Sequence, residues 1–364
     1  MKVLALSSYP REAAATRFRV EQFVEPLRRQ GIDVDLQPFL DSDQFADLYK
    51  GTSLAARSVG VATGISRRVM GLLKARRYDA LFIQREAMNF GPAVFEWLYE
   101  HLGTLPMILD LDDATYLPYV SPTFGRFGSF FKFFGKSDRL IERAAVVVCG
   151  NRFIAQYVES KGKNAVVIPT VVDLEKFRPT ENAVRAEPSI GWIGTHSTYP
   201  FLKHLLPVFQ ELSDRHSFRL KIVGSGLEEL EVPGVEVDLA DWSLLREIED
   251  FRSLDIGVYP IMTTPSADKR WINAKSGFKA IQYMAVGIPF VMSPVGVCAE
   301  IGTPEVTHFS ALTLQEWYHH LDTLLSNPAL RNRIGKAGRE FAIEHFSIEV
   351  QAQTLAQVLR AVAG

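Results

Sequence analysis

Short runs of β-branched and aliphatic residues alternate with helix-length amphipathic segments along nearly all of this chain. That alternation predicts parallel sheets assembled from strand–helix–strand units. In the first half the strands fall at Lys2–Ser7, Val34–Pro38, Asp79–Gln84, Met107–Leu111, Ala145–Cys149 and Ala165–Ile168. A stretch ending at Pro179 then leads into polar residues Thr180 to Pro188, which is the composition of a linker. A second series of strands follows at Ser189–Ile193, Arg219–Val223, Val235–Val237, Asp255–Tyr259 and Pro289–Met292, and after Thr313 the pattern is helical to Gly364. The expected fold is α/β, with two doubly wound, Rossmann-like domains facing a cleft. Ligands in such sheets sit beyond the carboxyl ends of the strands. The expected boundaries are residues 1–170, a linker at 171–188, a second domain at 189–345 and a last helix at 346–364.

A length of 364 residues suits two domains of ordinary size. The hydrophobic fraction of 47% and charged fraction of 23% are those of a globular protein in water. A net charge of −2 gives no general attraction to nucleic acid, so none is expected as a partner. Cys149 and Cys298, the two cysteines, each sit inside an apolar run. They argue against a disulfide framework and for a reducing, cytoplasmic compartment. The opening apolar run is too short for a signal peptide and reads as the first strand. No uninterrupted apolar stretch is long enough to span a bilayer.

The most informative segment runs from Trp271 to Glu300. Lys275-Ser276-Gly277 is a polar lead into an apolar helix that begins near Phe278; Gly287 ends that helix, and Ile288–Met292 reads as a buried strand. Free amide groups at such a helix start suit an anion. Lys275 and Lys279, four apart, point cations the same way, and Gln282 can offer an amide to a ribose. An ordinary Lys-bearing helix followed by a strand fits the same residues. Strand Ser189–Ile193 ends in Gly194-Thr195-His196-Ser197-Thr198, whose small residues allow close approach of backbone to a phosphate; an ordinary capped turn is the other reading. Val223-Gly224-Ser225-Gly226 is a second glycine turn after the next strand.

The run Lys275 to Gly296 resembles the nucleotide-sugar segment of retaining glycosyltransferases of the GT-B fold, the family 4 type. The resemblance is strongest from about Val166 to Pro304 and elsewhere rests on strand order. It implies that Gly194, Thr195 and His196 belong to the loop on which the donor diphosphate rests, and that the last helix returns to brace the first domain. Family members commonly carry two glutamates with seven residues between them. Here those positions hold Ala274 and Gln282 (282 − 274 = 8), so both carboxylates are missing. A subset of the family reads Gly-Lys-Cys-Gly-Phe-Lys-Leu-Leu-Gln-Tyr-Met-Ala, and Ala274 to Ala285 is similar to it. The resemblance leaves Lys275, Ser276, Gly277, Phe278 and Lys279 as the expected sugar and phosphate contacts, with Gln282 at the ribose. Lys269 and Arg270 stand in reserve in the polar loop Thr263 to Arg270. Cleavage of a nucleoside diphosphate needs neutralised charge, and fixed cations and amide dipoles supply it. The nucleotide diphosphate-sugar is then a co-substrate, and no metal or other cofactor is expected.

The first domain is expected to hold the acceptor. Arg17 and Arg19 open the first helix after the loop Ser7-Ser8-Tyr9-Pro10, where they can meet a diphosphate or an anionic acceptor; ordinary surface arginines are the other reading. Glu86, Asp112 and Asp113 follow the strands ending at Gln84 and Leu111. One of them can orient an acceptor hydroxyl or act as base, against the plainer role of capping a loop. No histidine precedes His101, which lies in a helical stretch and reads as structural.

Two segments hint at peripheral contact with a membrane. Residues 51–78 hold Arg57, Arg67, Arg68, Lys74, Arg76 and Arg77 with no acidic residue, and Val69, Leu72 and Leu73 add an apolar stripe. Residues 124–139 hold Phe124, Phe127, Phe130, Phe131, Phe133 and Phe134 beside Arg126, Lys132, Lys136 and Arg139. These phenylalanines fit the lining of a cleft or core equally well. The sequence thus leads to a glycosyltransferase that moves a sugar to a hydroxyl of a glycan, lipid-linked or small-molecule acceptor. A sugar-nucleotide 2-epimerase on the same fold and a sugar-nucleotide-binding protein without catalysis remain as rivals.

Overall fold

The computed structural model describes residues 1–47, 54–118, 133–180, 187–261 and 269–364. Phe124, Phe127, Phe130, Phe131, Arg126 and Lys132, and most of the loop Thr263 to Arg270, lie outside the described residues. The chain divides into two compact units: Met1–Val171 with Ile348–Gly364, and Val172–Ser347.

The first unit is built on β1 (Lys2–Ser7), β2 (Asp33–Pro38), β3 (Ala80–Gln84), β4 (Met107–Leu111), β5 (Val146–Cys149) and β6 (Ala165–Val167). Its helices are α1 (Ala14–Thr16), α2 (Gln22–Arg28), α3 (Ser42–Asp47), α4 (Leu54–Leu73), α5 (Val94–His101), α6 (Lys136–Arg143) and α7 (Arg152–Ser160). All strand pairs are parallel, in the order β2-β1-β3-β4-β5-β6. The order reverses direction between β1 and β3, which is where such a sheet opens a crevice. Strands β3, β4 and β5 are buried at every position, as continuous apolar runs covered on both faces should be.

The second unit follows the same plan with β7 (Ser189–Ile193), β8 (Arg219–Val223), β9 (Glu236–Ala240), β10 (Ile256–Tyr259), β11 (Phe290–Met292) and β12 (Phe309–Ser310). Its helices are α8 (Tyr199–Lys203), α9 (Leu206–Ser213), α10 (Glu247–Arg252), α11 (Lys269–Asn273), α12 (Phe278–Ala285), α13 (Leu314–Ser326) and α14 (Pro328–His345). The order β12-β11-β10-β7-β8-β9 puts the reversal between β7 and β10. Edge strand β9 alternates Glu236, Val237, Asp238 and Leu239, and its burial alternates with it. The two-residue strand β12 is too short to show a period in sequence. The final helix, α15 (Ile348–Ala363), belongs to the first unit and packs on α2, β3 and β4.

Close approach fixes α12 above the reversal. Gly257 of β10 has no side chain, and a Cβ there would sit 2.6 Å from the Tyr283 ring. Tyr283 packs in that space and donates its hydroxyl to the carbonyls of Gly191 (3.2 Å) and Val258 (3.3 Å), bridging β7 and β10. Residues after Val172 are held on this unit as well: Phe177 is buried, and the Arg339 guanidinium donates to the carbonyls of Leu174 (2.9 Å) and Phe177 (2.8 Å).

His308 marks the same core. It stacks on Phe290, bonds the hydroxyls of Thr307 (3.0 Å) and Ser310 (3.2 Å), and burial lowers its pKa from 6.5 to about 4. Between those values the unfolded chain takes up a proton that the folded chain refuses, so stability is lost as pH falls from 6.5 toward 4. Urea titrations across that window are expected to show a loss on the order of 3 kcal/mol from this group, and His308→Asn to remove that part of the slope.

Candidate active site

The loops at the carboxyl edge of the second sheet are shaped by glycine. After β7 the chain passes through Gly194 to Thr198, and after β8 through Gly224 to Gly226. The two turns touch: the Gly194 N–H donates to the Val223 carbonyl at 3.0 Å, and a Cβ on Gly224 would overlap the Gly194 carbonyl oxygen. Gly224 and Gly226 have φ of 78° and 75°, a conformation in which side chains are strained. The Cβ of His196 lies 3.3 Å from where Gly226 would carry one. Thr198 accepts the Thr195 N–H at 3.1 Å and returns its own hydroxyl to the Thr195 carbonyl, which holds the first turn open. Thr195, His196 and Ser197 are exposed, and among the described residues the N–H groups of His196 and Ser197 have no protein acceptor. Backbone donors pointing at solvent from a rigid glycine turn are a cradle for phosphate oxygens.

Lys275 lies in the turn between α11 and α12. It precedes Gly277, whose φ of 63° turns the chain into α12. Its ammonium lies 3.7 Å from the centre of the Trp271 ring, and a Cβ on Gly277 would sit 3.6 Å from the Cys298 sulfur. Cys298 follows β11, and β11 pairs with β10 and β10 with β7, so the Lys275–Gly277 turn lies at the carboxyl edge of the sheet that also carries the Gly194 turn. Lys275 and Lys279 do not point alike, however. Four-residue spacing aligns side chains only within a helix, and Lys275 lies before the turn at Gly277. Lys279 instead sits 5.0 Å from the centre of the Phe251 ring and donates to the Gln282 carboxamide at 2.9 Å.

Gln282 is fully buried, and its amide lies 3.4 Å from a carboxylate oxygen of Glu247 at the start of α10. Glu247 thus brings a carboxylate to the Gln282 amide. Ser276 and Phe278 are half-buried beside the Gly277 turn, while Lys269 and Arg270 are exposed on α11. Trp242, whose Cβ lies 3.4 Å from where Gly224 would carry one, adds a partly exposed ring next to the glycine turns. No periodicity in the sequence marks either Glu247 or Trp242.

In the first unit the carboxyl ends of β1, β3 and β4 gather charge. Asp112 is held by a two-pronged pair with Arg85 at 2.6 and 2.8 Å. Burial raises its pKa, but Arg85 and then Arg19 outweigh that, and the carboxyl stays below its ordinary range. It is an ion-pair partner in this state, and a weak base. Glu86 pairs with Lys136 at 2.7 Å, and its carbonyl accepts the Ser8 hydroxyl at 3.0 Å. Asp113 is 4.0 Å from Arg85 and accepts the Ala114 N–H at 2.8 Å. Arg85 was passed over in the sequence, yet it carries a positive φ of 62° while holding Asp112, a strained backbone kept by its contacts.

Arg19 is not where a ligand could reach it. It is 2% exposed, donates to both carboxylate oxygens of buried Asp110, and gives a further bond to the Ile168 carbonyl at 2.6 Å. The cause is a π-turn over Arg17–Glu21, which re-phases the helix so that Phe18, Arg19 and Val20 are all buried. Burial opposes its charge, Asp110 favours it, and the pair leaves its pKa raised. Arg17 is half-buried, donating to the carbonyls of Arg11 (3.3 Å) and Glu12 (3.2 Å) with its guanidinium over Phe18. Among the described residues no group of three or more His, Cys, Asp or Glu side chains is gathered as for a metal ion.

Residues 187–327 match the family described as glycosyl transferases group 1. No curated protein matches the chain significantly. Among solved structures the chain is similar to sucrose-phosphate synthase from Thermosynechococcus elongatus, at 15% identity over 99% of both chains and a TM-score of 0.68. It is also similar to HepE of Anabaena in complex with UDP-glucose, at 15% identity over 99% of this chain and 100% of that one, TM-score 0.67. A glycosyltransferase from Rickettsia africae gives 12% identity over 99% and 98% of the two chains, TM-score 0.66. These likenesses bear out the expected GT-B fold, two parallel six-stranded sheets. The family match supports glycosyl-transferring activity.

Arg19→Ala leaves Asp110 as an unpaired buried charge and is expected to destabilise the chain by about 3–5 kcal/mol, read from urea unfolding. Arg17→Ala, at a half-buried site that leaves no buried charge behind, is expected to cost clearly less than Arg19→Ala in the same titration.

Proposed function

We propose that the protein is a glycosyltransferase of the family 4 type, taking a sugar from a nucleotide diphosphate donor with retention at the anomeric carbon. The observation that carries this reading is the pair of abutting glycine turns at Gly194 and Gly224. They stand beside the β7–β10 reversal, inside the segment that matches glycosyl transferases group 1. The neighbour HepE is described in complex with UDP-glucose, and a donor of that chemical class fits a site of backbone amides and one lysine.

In this reading the His196 and Ser197 amides bind the diphosphate, and Gln282, fully buried and bonded to Lys279 and Glu247, positions those two groups rather than touching the donor itself. Lys275 meets the charge that develops as the bond between the anomeric carbon and the diphosphate oxygen breaks. The acceptor oxygen forms the new bond to that carbon, and its proton passes to the departing phosphate. Fixed cations and amides stabilise that charge without a metal. Glu86, Asp113 and the Arg85–Asp112 pair orient the acceptor, a hydroxyl of a glycan, lipid-linked or small-molecule compound. The protein works in the cytoplasm, at the inner face of the membrane when the acceptor is lipid-linked.

Incubation with UDP-, GDP- and dTDP-sugars tests the reading. Donor hydrolysis or transfer is expected; a C2-epimer as product, or saturable binding with no turnover, would replace it with one of the two rivals. Lys275→Ala is expected to lower kcat/KM about 100-fold, because its ammonium acts on transition-state charge. Gly224→Ala is expected to weaken nucleoside diphosphate binding at least about 10-fold by calorimetry, because the added methyl meets the Gly194 carbonyl.

A further inference from the structure

Helix α4 is built inside out. A surface helix ordinarily turns its aliphatic side chains inward, but from residue 58 onward the buried positions of α4 are Gly60, Gly64, Arg68 and Gly71. Gly64 faces the Phe39 ring and Gly71 faces the Tyr99 hydroxyl, both too close for a Cβ. Arg68 is completely buried and donates to the carbonyls of Ser7 (2.7 Å), Gln37 (2.7 Å) and Ala87 (2.9 Å). Arg67 turns back onto Asp41 and the Phe39 carbonyl. Two of the cations counted from sequence toward a basic face are therefore committed to the fold.

The outward side is apolar. Val59, Ile65, Val69, Met70 and Leu73 are exposed, Leu73 to 76%. Helix α5 is tied alongside by the Tyr99 hydroxyl, which donates to the Arg68 carbonyl at 2.8 Å, and it adds exposed Val94 and Trp97, with Leu102 just beyond its end. These two helices and Leu102 hold eight of the seventeen large apolar side chains exposed among the described residues, a concentration that scattered surface hydrophobics do not produce. At the end of α4 stand Lys74, Arg76 and Arg77, all exposed, and residues 51–78 contain no carboxylate.

We propose that the outward face of α4, with Trp97 and Leu102 beside it, docks on an anionic lipid bilayer. The aliphatic stripe enters the boundary between headgroups and acyl chains, and Lys74, Arg76 and Arg77 meet lipid phosphates. Both terms are needed for an interfacial helix to hold. The cation cluster favours this occupant over a second copy of the chain, whose α4 stripe would bring further cations and no carboxylate. The proposal rests on the transferase reading only in linking this surface to a lipid-linked acceptor; the surface itself stands without it.

The test is co-sedimentation of the full chain with two-to-one phosphatidylcholine–phosphatidylglycerol vesicles and with pure phosphatidylcholine vesicles. Binding to the anionic vesicles alone is expected, falling as salt rises. A Lys74→Ser, Arg76→Ser, Arg77→Ser variant is expected to bind on the order of 100-fold more weakly, and Met70→Ser, Leu73→Ser at least about 10-fold more weakly. Melting temperature and nucleoside diphosphate binding should be unchanged in both variants, which separates failure here from failure of the donor site. No binding to anionic vesicles, or equal binding to both kinds, overturns the proposal. So does a concentration-dependent dimer that the Met70→Ser, Leu73→Ser variant abolishes.

Discussion

The second unit depends on backbone surfaces that approach without side chains between them. Gly257 admits the Tyr283 ring, which ties α12 across β7 and β10, and Gly224 admits the Gly194 carbonyl. Substituents at these places would push the helix off the sheet or one turn off the other. The same contacts that complete the core therefore bring exposed amides and the Lys275 ammonium to one edge. Packing and the candidate chemistry are one constraint there, which is why the site sits where the strand order reverses.

The first unit uses charge where the second uses glycine. Arg19 with Asp110 and Arg68 with three carbonyls are buried cations whose partners come from distant parts of the chain, and each joins several strand ends. A buried charge is tolerated only when its hydrogen bonds are satisfied, so these residues specify one arrangement of the loops around them. Glu86 and Lys136 form a further buried pair, while Arg85 stays partly exposed where it holds Asp112.

Much of the fold was legible because continuous apolar runs mark central parallel strands and amphipathic runs mark the helices between them. The strands from Lys2–Ser7 to Phe290–Met292 lie within a few residues of their expected places. The glycine turns were legible for the same local reason. What could not be read was anything set by phase or by long-range partnership. A π-turn rotates Arg19 inward, and no 3.6-residue period announces it. The placement of Glu247 against Gln282 depends on how two helices cross one sheet face, and the pattern of α4 reads as a basic amphipathic helix until Arg67 and Arg68 are seen to face the protein.

The proposed chemistry turns on a diphosphate held by backbone amides at the glycine turns. A crystal structure with a bound nucleoside diphosphate tests it most directly. It predicts phosphate oxygens within hydrogen-bond distance of the His196 and Ser197 amides, with the Lys275 ammonium turned off Trp271 toward them. A diphosphate bound away from the Gly194 and Gly224 turns, with Lys275 still lying on the Trp271 ring, would contradict it.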